Sequence, residues 1–331
     1  GYVIGLLVAA LGVTMLIPMV LDLWAGNGHA GVFLESAVIT GLVGGLLALA
    51  CANAVGKGLK IQQVFLMASG VWAVLPVFGA IPFLAGATDA SVTDAYFEAM
   101  SGMTTTGSTV LRGLDDLPAG LLVWRSMLQW FGGIGIIVVA MVFLPELRVG
   151  GMQIFRSEAF DTDGKVLPRA AEIASRISIV YASLTALCAL AYILAGMSVF
   201  DAVNHAMTTL ATGGFSTRDA SFAAFSGAGE YVAAVFMVLA SIPFVRYVQL
   251  LAGSGKPLVR DSQVRVFLLL VTGTILALTA FRLVGANDVA LPAFREATFI
   301  VISIITGTGY ASADYQLWGA FPIAVFFFLG L

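Results

Sequence analysis

Charge is scarce in this chain. Of its 331 residues only 11% are Asp, Glu, Lys or Arg, against 60% hydrophobic, and the mean hydropathy is +0.99. A water-soluble domain of this size needs far more charge to cover its surface, so that class is excluded. Histidine and cysteine are scarcer still, with two of each. Cys51 and Cys188 lie in apolar segments far apart in sequence, which reads as two buried thiols without a disulfide or metal role. No cluster of His, Cys and carboxylate stands at ligand spacing, which excludes a metal site of the usual kind, and no cofactor is expected in the chain. The apolar segments hold no convergent nucleophile and base, so an intramembrane enzyme is not supported. Neither a phosphate-cradling glycine loop nor a basic nucleic-acid stripe is present. The first apolar run, Gly1 to about Leu21, lacks the basic start of a signal peptide and leads at once into a second run, so it reads as mature structure.

Apolar runs of about 20 residues, the length that spans a hydrocarbon core as helix, recur from end to end. Spanning helices are expected near 1–22, 31–56, 63–86, 117–145, 170–198, 229–252, 265–285 and 318–331. Pro18, Pro76 and Pro82 are expected to kink or end helices. The fold class is therefore an all-α polytopic membrane protein. The last run stops in mid-span and Gly1 stands where Met would, so the chain is expected to be a fragment of a longer protein.

Basic residues in short loops orient the chain. Lys57 and Lys60, then Arg148, Arg156, Lys165 and Arg169 in the 146–169 connection, then Lys256, Arg260 and Arg265, all fall on one side, the predicted cytoplasmic side. The opposite loops carry Asp89, Asp94, Asp115, Asp116, Asp219, Glu230, Asp288 and Asp314 against Arg112, Arg218 and Arg295. That excess of carboxylate reads either as a modest cation attractor or as ordinary polar loops.

Between the spans, one segment occurs three times. Asp94 to Gly107, Asp201 to Gly214 and Glu296 to Gly309 align without a gap, each a short helix-like stretch running into a Thr/Gly-rich tip. Polar backbone at membrane depth is costly unless it lines a cavity or path. The tips are Thr104, Thr105, Thr106 and Gly107; Ala211, Thr212, Gly213 and Gly214; and Thr306, Gly307, Thr308 and Gly309. A dehydrated monovalent cation needs oxygen ligands, which rings of backbone carbonyls supply. Glycine permits positive φ and close approach, threonine adds a hydroxyl, and a short helix aims its negative C-terminal end at the path. Two spans per copy give parallel repeats with every tip on the outer side.

Further matches lie in Trp124-Arg125-Ser126-Met127-Leu128-Gln129-Trp130-Phe131-Gly132-Gly133-Ile134-Gly135-Ile136 and in Val149-Gly150-Gly151-Met152-Gln153-Ile154-Phe155-Arg156-Ser157-Glu158. With the tips, they make the chain resemble the Trk/Ktr/HKT superfamily of potassium transporters, in particular the Trk-type bacterial potassium uptake membrane subunits. The resemblance implies potassium translocation across the cytoplasmic membrane, channel-like or by cation-coupled symport, through membrane–pore-loop–membrane repeats around a central pathway. It implies an extra helix pair at 1–60, a first pore repeat at 61–147, a second at 148–254 and an incomplete third at 255–331. A fourth repeat and the gating loop of the third are expected beyond Leu331. The filter glycines it implies are Gly107, Gly214 and Gly309, with potassium held by backbone carbonyls of Thr105, Thr106, Thr212, Gly213, Gly307 and Thr308. Some plant members carry serine at the first glycine, a change associated with sodium transport, so Gly107 favours potassium. In the third copy Gly307 stands where the first has Thr105, which leaves its local geometry open.

Partners follow by the same resemblance: potassium, the lipid bilayer, a second copy in a homodimer, and a cytoplasmic nucleotide-binding regulatory subunit, with no nucleic acid. The basic 146–169 and 253–265 loops read either as its docking surfaces or as ordinary positive-inside loops. Two arginines have two readings each. Arg125 either holds segments together, through a carboxylate such as Glu98 or backbone carbonyls, or sets the electrostatics of the ion path. Arg246 points to structure or gating rather than ion contact. His205 occupies the position matching Glu98 and reads as a hydrogen-bonded structural histidine or a proton relay. A secondary transporter of another small solute with a broken-helix site is the alternative function, against which parallel repeats count.

Overall fold

A computed structural model of the chain describes residues 1–54, 61–147, 166–285 and 289–330. The described residues are helical, with short 3₁₀ turns and no strand. Among the described residues, five helices are long and apolar enough to cross a bilayer: Tyr2–Ala25, Ala30–Cys51, Phe65–Ala85, Ala174–Leu194 and Ser262–Val284. Helix Ala119–Leu147 occupies the span expected at 117–145. Lys57, Lys60, Arg148, Arg156, Lys165, Asp288 and the Val149 to Glu158 match lie outside the described residues.

Two compact units emerge, Gly1–Phe143 and Leu144–Leu331. In the first, the two N-terminal spans meet backbone to backbone. A Cβ on Gly5 would lie 2.5 Å from the Ala48 nitrogen, and one on Gly44 would lie 2.4 Å from the Ala9 nitrogen. Small residues permit such contact where lipid supplies no hydrophobic drive. The prolines act at breaks, as expected. The first span interrupts at Met15, three residues before Pro18, and the helix bearing Pro76 ends at Gly79 within its span, with Pro82 opening the next short helix.

In the second unit, the expected continuous span at 229–252 is two helices, Ala228–Ser241 and Phe244–Leu251, bent by 87°. Pro243 is the reason. It cannot donate to the Leu239 carbonyl, and it holds the preceding Ile242 in the extended region at ψ 135. The orphaned Leu239 carbonyl accepts instead from Ile242 N at 3.3 Å and from the Tyr247 hydroxyl at 2.7 Å. Tyr247→Phe is expected to cost about 1 kcal/mol, seen as a fall of a few degrees in the thermal midpoint. An unchanged midpoint would discount the hydroxyl as a support of the bend. The run expected as a span at 318–331 starts on the last residue of the turn Tyr315–Trp318 and holds the shorter helix Ala320–Leu329.

Candidate functional site

Each Thr/Gly tip follows a short helix: Val92–Met103, Val199–Leu210 and Ala290–Ile305. The first two begin alike. Ser91 and Ser198 accept from the backbone N–H of Asp94 and Asp201, satisfying donors that the first helical turn leaves open. The third starts earlier relative to its tip, so Glu296 sits in mid-helix and does other work. It accepts from Arg282 Nη1 at 2.8 Å, while the Arg282 guanidinium lies 4.3 Å from the centre of the Trp318 ring.

The helix ends share one backbone signature. Thr105, Thr212 and Gly307 hold positive φ of 55°, 50° and 74°, and two residues later Gly107, Gly214 and Gly309 hold 79°, 75° and 80°. The sequence left Gly307 open; its backbone matches Thr105 and Thr212. The first left-handed residue closes a helix cap. Thr105 N donates to Gly102 O at 3.0 Å and Thr106 N to Ser101 O at 2.9 Å. Thr212 N to Thr209 O at 3.0 Å and Gly213 N to Thr208 O at 2.9 Å repeat the pattern. In the third copy Gly307 N donates to Ile304 O at 3.0 Å, but the outer bond comes from Gly309 N, to Ser303 O at 3.1 Å. Left-handed φ is rare and strained for a β-branched residue, so Thr105 and Thr212 retain their hydroxyls at some conformational cost.

The first and third tips are the more alike. Thr104 and Thr106 share a hydroxyl hydrogen bond at 2.7 Å, Thr306 and Thr308 one at 2.8 Å. Ser101 donates to the Ser108 carbonyl at 2.6 Å, and Ser303 to the Tyr310 carbonyl at 2.7 Å, in the same register. The second tip has Ala211 and Gly213 where these hydroxyls would be. Instead its backbone lies against the third. A Cβ on Gly214 would fall 1.9 Å from the Thr308 carbonyl oxygen.

Behind the first tip, the Trp124–Ile136 motif serves as a brace. Gly132 lies so close to the end of the short helix that a Cβ there would be 1.9 Å from the Met103 carbonyl oxygen. Trp124 Nε1 donates to Gly79 O at 2.9 Å. That carbonyl is available because Phe83 N donates to Ala80 O, across the break. Arg125 Nε donates to Glu98 at 2.8 Å, with both side chains buried. Glu98 also accepts from Thr109 Oγ1 at 2.8 Å and Val110 N at 3.0 Å, so one carboxylate joins the short helix, the segment after the tip and the spanning helix. These contacts are of the kind that the holding reading of Arg125 describes.

His205 matches Glu98, and Ser216 matches Thr109. The His205 ring contacts Asp201 O at 2.8 Å through Nδ1 and Ser216 Oγ at 3.0 Å through Nε2. A carbonyl only accepts, so Nδ1 carries the proton and Nε2 accepts from the hydroxyl. Phe222 and Phe225 pack edge-on against the ring. Both nitrogens are therefore engaged in structural contacts.

Arg246 ties the bent helix to the next span, donating to Asp261 at 2.9 Å and to Gln249 at 3.0 Å. Desolvation acts to raise the Asp261 carboxyl, but donation from Arg246 and from the Gln263 and Val264 N–H groups outweighs it and holds the group below the usual carboxylate range. Of the acidic residues expected on the outer side, Asp94 caps its helix, Glu230 accepts from Gly227 N and pairs with Arg295 at 3.0 Å, and Asp314 accepts from Gln316 N. Sequence reasoning missed Asp22. Buried in the first span, it accepts from Gly120 N at 2.7 Å and Asn27 Nδ2 at 2.6 Å, capping the start of helix Ala119–Leu147. A lone carboxylate in an apolar run was the available signal. Among the described residues no group of three or more His, Cys, Asp or Glu could hold a metal ion.

These features define a multi-span helical membrane protein built on short helices that end in left-handed, glycine-bearing tips. The sequence profile of the TrkH family, described as cation transport protein, matches residues 29–329. The Trk system potassium uptake protein TrkI of Halomonas elongata is 41% identical over 329 residues, covering 99% of this chain and 66% of that protein. TrkH of Escherichia coli K12, also a Trk system potassium uptake protein, is 38% identical over 325 residues, covering 96% and 67%. The crystal structure of the potassium transporter TrkH from Vibrio parahaemolyticus superposes with a TM-score of 0.89 at 34% identity, covering 99% of this chain and 68% of that one. The chain belongs to the TrkH family of cation transport proteins. It spans about two thirds of the length of these relatives. Membership, with the long apolar helices, makes it a multi-pass protein of the cytoplasmic membrane and a transport protein rather than an enzyme.

Proposed function

We propose that this chain forms part of a potassium uptake subunit and that its three tips each contribute a segment of the selectivity filter. The observation that carries the reading is the repeated pair of left-handed residues, 105 and 107, 212 and 214, 307 and 309, each closing a short helix. Such a backbone turns out of the helix immediately after its negative end and leaves loop carbonyls to replace the water around a cation. In this reading the ligands are the carbonyls of Thr105, Thr106, Thr212, Gly213, Gly307 and Thr308. Potassium is the ion named for TrkI and for the two TrkH relatives described above, which favours it over an organic solute.

The reading extends to organisation. Residues 1–60 act as an added helix pair, with pore repeats at 61–147, 148–254 and 255–331 and the tips facing outward. A homodimer and a cytoplasmic nucleotide-binding regulatory subunit complete it. The intact subunit, reconstituted in liposomes, is expected to take up rubidium well above empty vesicles; uptake at the empty-vesicle level would end the proposal. Gly107→Ser is expected to lower discrimination of potassium over sodium by roughly tenfold, since 1.4 kcal/mol of lost preference suffices. Unchanged discrimination would remove Gly107 from the filter. Rubidium flux under separately imposed proton and sodium gradients distinguishes channel-like passage from symport.

A further inference from the structure

We propose that Tyr310 is a positioning residue that sets ion discrimination by tying the third tip to the second. The inference rests on the filter reading above and assigns a role to a side chain outside the Thr/Gly tips. Tyr310 follows Gly309 directly, so its backbone is the continuation of the third tip. Its side chain belongs to the other copy. The hydroxyl contacts Thr208 Oγ1, Thr209 Oγ1 at 3.2 Å and the His205 carbonyl at 3.2 Å. One phenol proton can go to that carbonyl while the oxygen accepts from the two threonines.

Those two threonines are the anchors of the second tip. The Thr208 carbonyl receives Gly213 N–H and the Thr209 carbonyl receives Thr212 N–H, the two bonds that cap the short helix and start the loop. Movement of Tyr310 is therefore movement of the residues that hold Thr212 and Gly213. The tyrosine itself has little freedom. It is 2% exposed, its carbonyl is held by Ser303, and its ring packs against Phe222 at 4.8 Å and Phe299 at 6.5 Å. A parallel strut runs through backbone, where Ala223 N donates to Ala311 O at 3.1 Å. Together with the Gly214 contact on Thr308, these links hold the spacing of the two loops, and Tyr310 is the link among them made by a side-chain hydroxyl. Cavity size set to fractions of an ångström, or ligand number held constant, is what ion discrimination requires of such loops.

Tyr310→Phe keeps the ring and removes only the hydroxyl. No partner is orphaned, since Thr208 also reaches Asn204 O and the His205 carbonyl, and Thr209 also contacts Tyr192. In the intact subunit in liposomes, we expect potassium-over-sodium discrimination, read by competition against rubidium uptake, to fall about fivefold to tenfold. Thr208→Val should give the same loss from the other end, and the double variant should lose no more than either single one. Tyr192→Phe is the structural comparator. It removes a hydroxyl bonded to Thr209 at 2.8 Å from a spanning helix that carries no tip, and discrimination should stay within about twofold of parent, because that bond supports the second short helix without linking it to another loop, even if it is worth as much to stability. Parental discrimination in Tyr310→Phe, while Gly107→Ser shifts it, would overturn the inference and leave the filter reading standing. An equal loss in Tyr192→Phe would also overturn it. If neither Gly107→Ser nor Tyr310→Phe alters discrimination, the filter reading falls and this inference with it. Should Tyr310→Phe fail to reach the membrane, parental discrimination in Thr208→Val would overturn the inference.

Discussion

Gly214→Ala is expected to reduce rubidium uptake to below about a tenth of parent, a loss of more than 1.4 kcal/mol in the working geometry. Two costs add at this residue. Its φ of 75° lies where a Cβ costs roughly 1–2 kcal/mol. The added carbon would also stand 1.9 Å from the Thr308 carbonyl oxygen, so one loop must move. The third loop resists, because Thr308 is bonded to Thr306, and both Gly309 N and the Tyr310 carbonyl are bonded to Ser303. The displaced carbonyl is among those proposed to hold the ion. Gly307→Ala separates the two costs. It has a similar φ of 74° and open space around it, so its stability loss should be confined to the first cost, roughly 1–2 kcal/mol. Equal thermal midpoints for the two variants, or parental uptake in Gly214→Ala, would contradict the close approach.

Arg125→Leu is the second large effect. Glu98 would keep its bonds from Thr109 and Val110 but lose its counter-charge where its side chain is wholly buried. Removing one partner of a buried pair typically costs about 3–5 kcal/mol, enough to lower the yield of folded protein in membranes sharply. Replacing both charges is far less harmful in such pairs. Glu98→Leu combined with Arg125→Leu should therefore recover more than half of the lost thermal midpoint, although Thr109 and Val110 then forfeit their acceptor. A single variant as stable as parent would mean that the pair is solvated. A double variant no better than the single would mean that the bonds to Thr109 and Val110, rather than the charge, matter most.

Much of this was legible before any coordinates. Gapless copies placed the glycines at 107, 214 and 309, and all three hold left-handed φ. The repeat argument works because a tip's backbone is set locally, by the helix cap and the residues that tolerate positive φ. Glu98 was one partner readable for Arg125, beside backbone carbonyls, since an arginine in a spanning run needs an acceptor. What escaped was non-local or contrary to hydropathy. Pro243 sits in an apolar run long enough to span, and only the exchange of the Leu239 carbonyl to Tyr247 reveals how far the chain bends. Asp22 lies 98 positions from the amide it accepts, and no pattern within its own helix names that partner. Glu296 aligned with Asp94 and Asp201 yet pairs with Arg282, because the third short helix begins earlier. Sequence alignment sees the shared letter; it does not see where the helix starts.

The glycines that meet backbone also place the gene under a one-sided constraint. At Gly5, Gly44, Gly132 and Gly214 the neighbouring main chain leaves room for hydrogen alone. No smaller residue exists, so every missense change at these codons enlarges the side chain, whereas a buried leucine such as Leu128 can be replaced by something larger or smaller. Random mutation can repair a cavity beside Leu128 by growth elsewhere. At the four glycines, compensation has to come from a shift in the opposing backbone, which no single codon encodes.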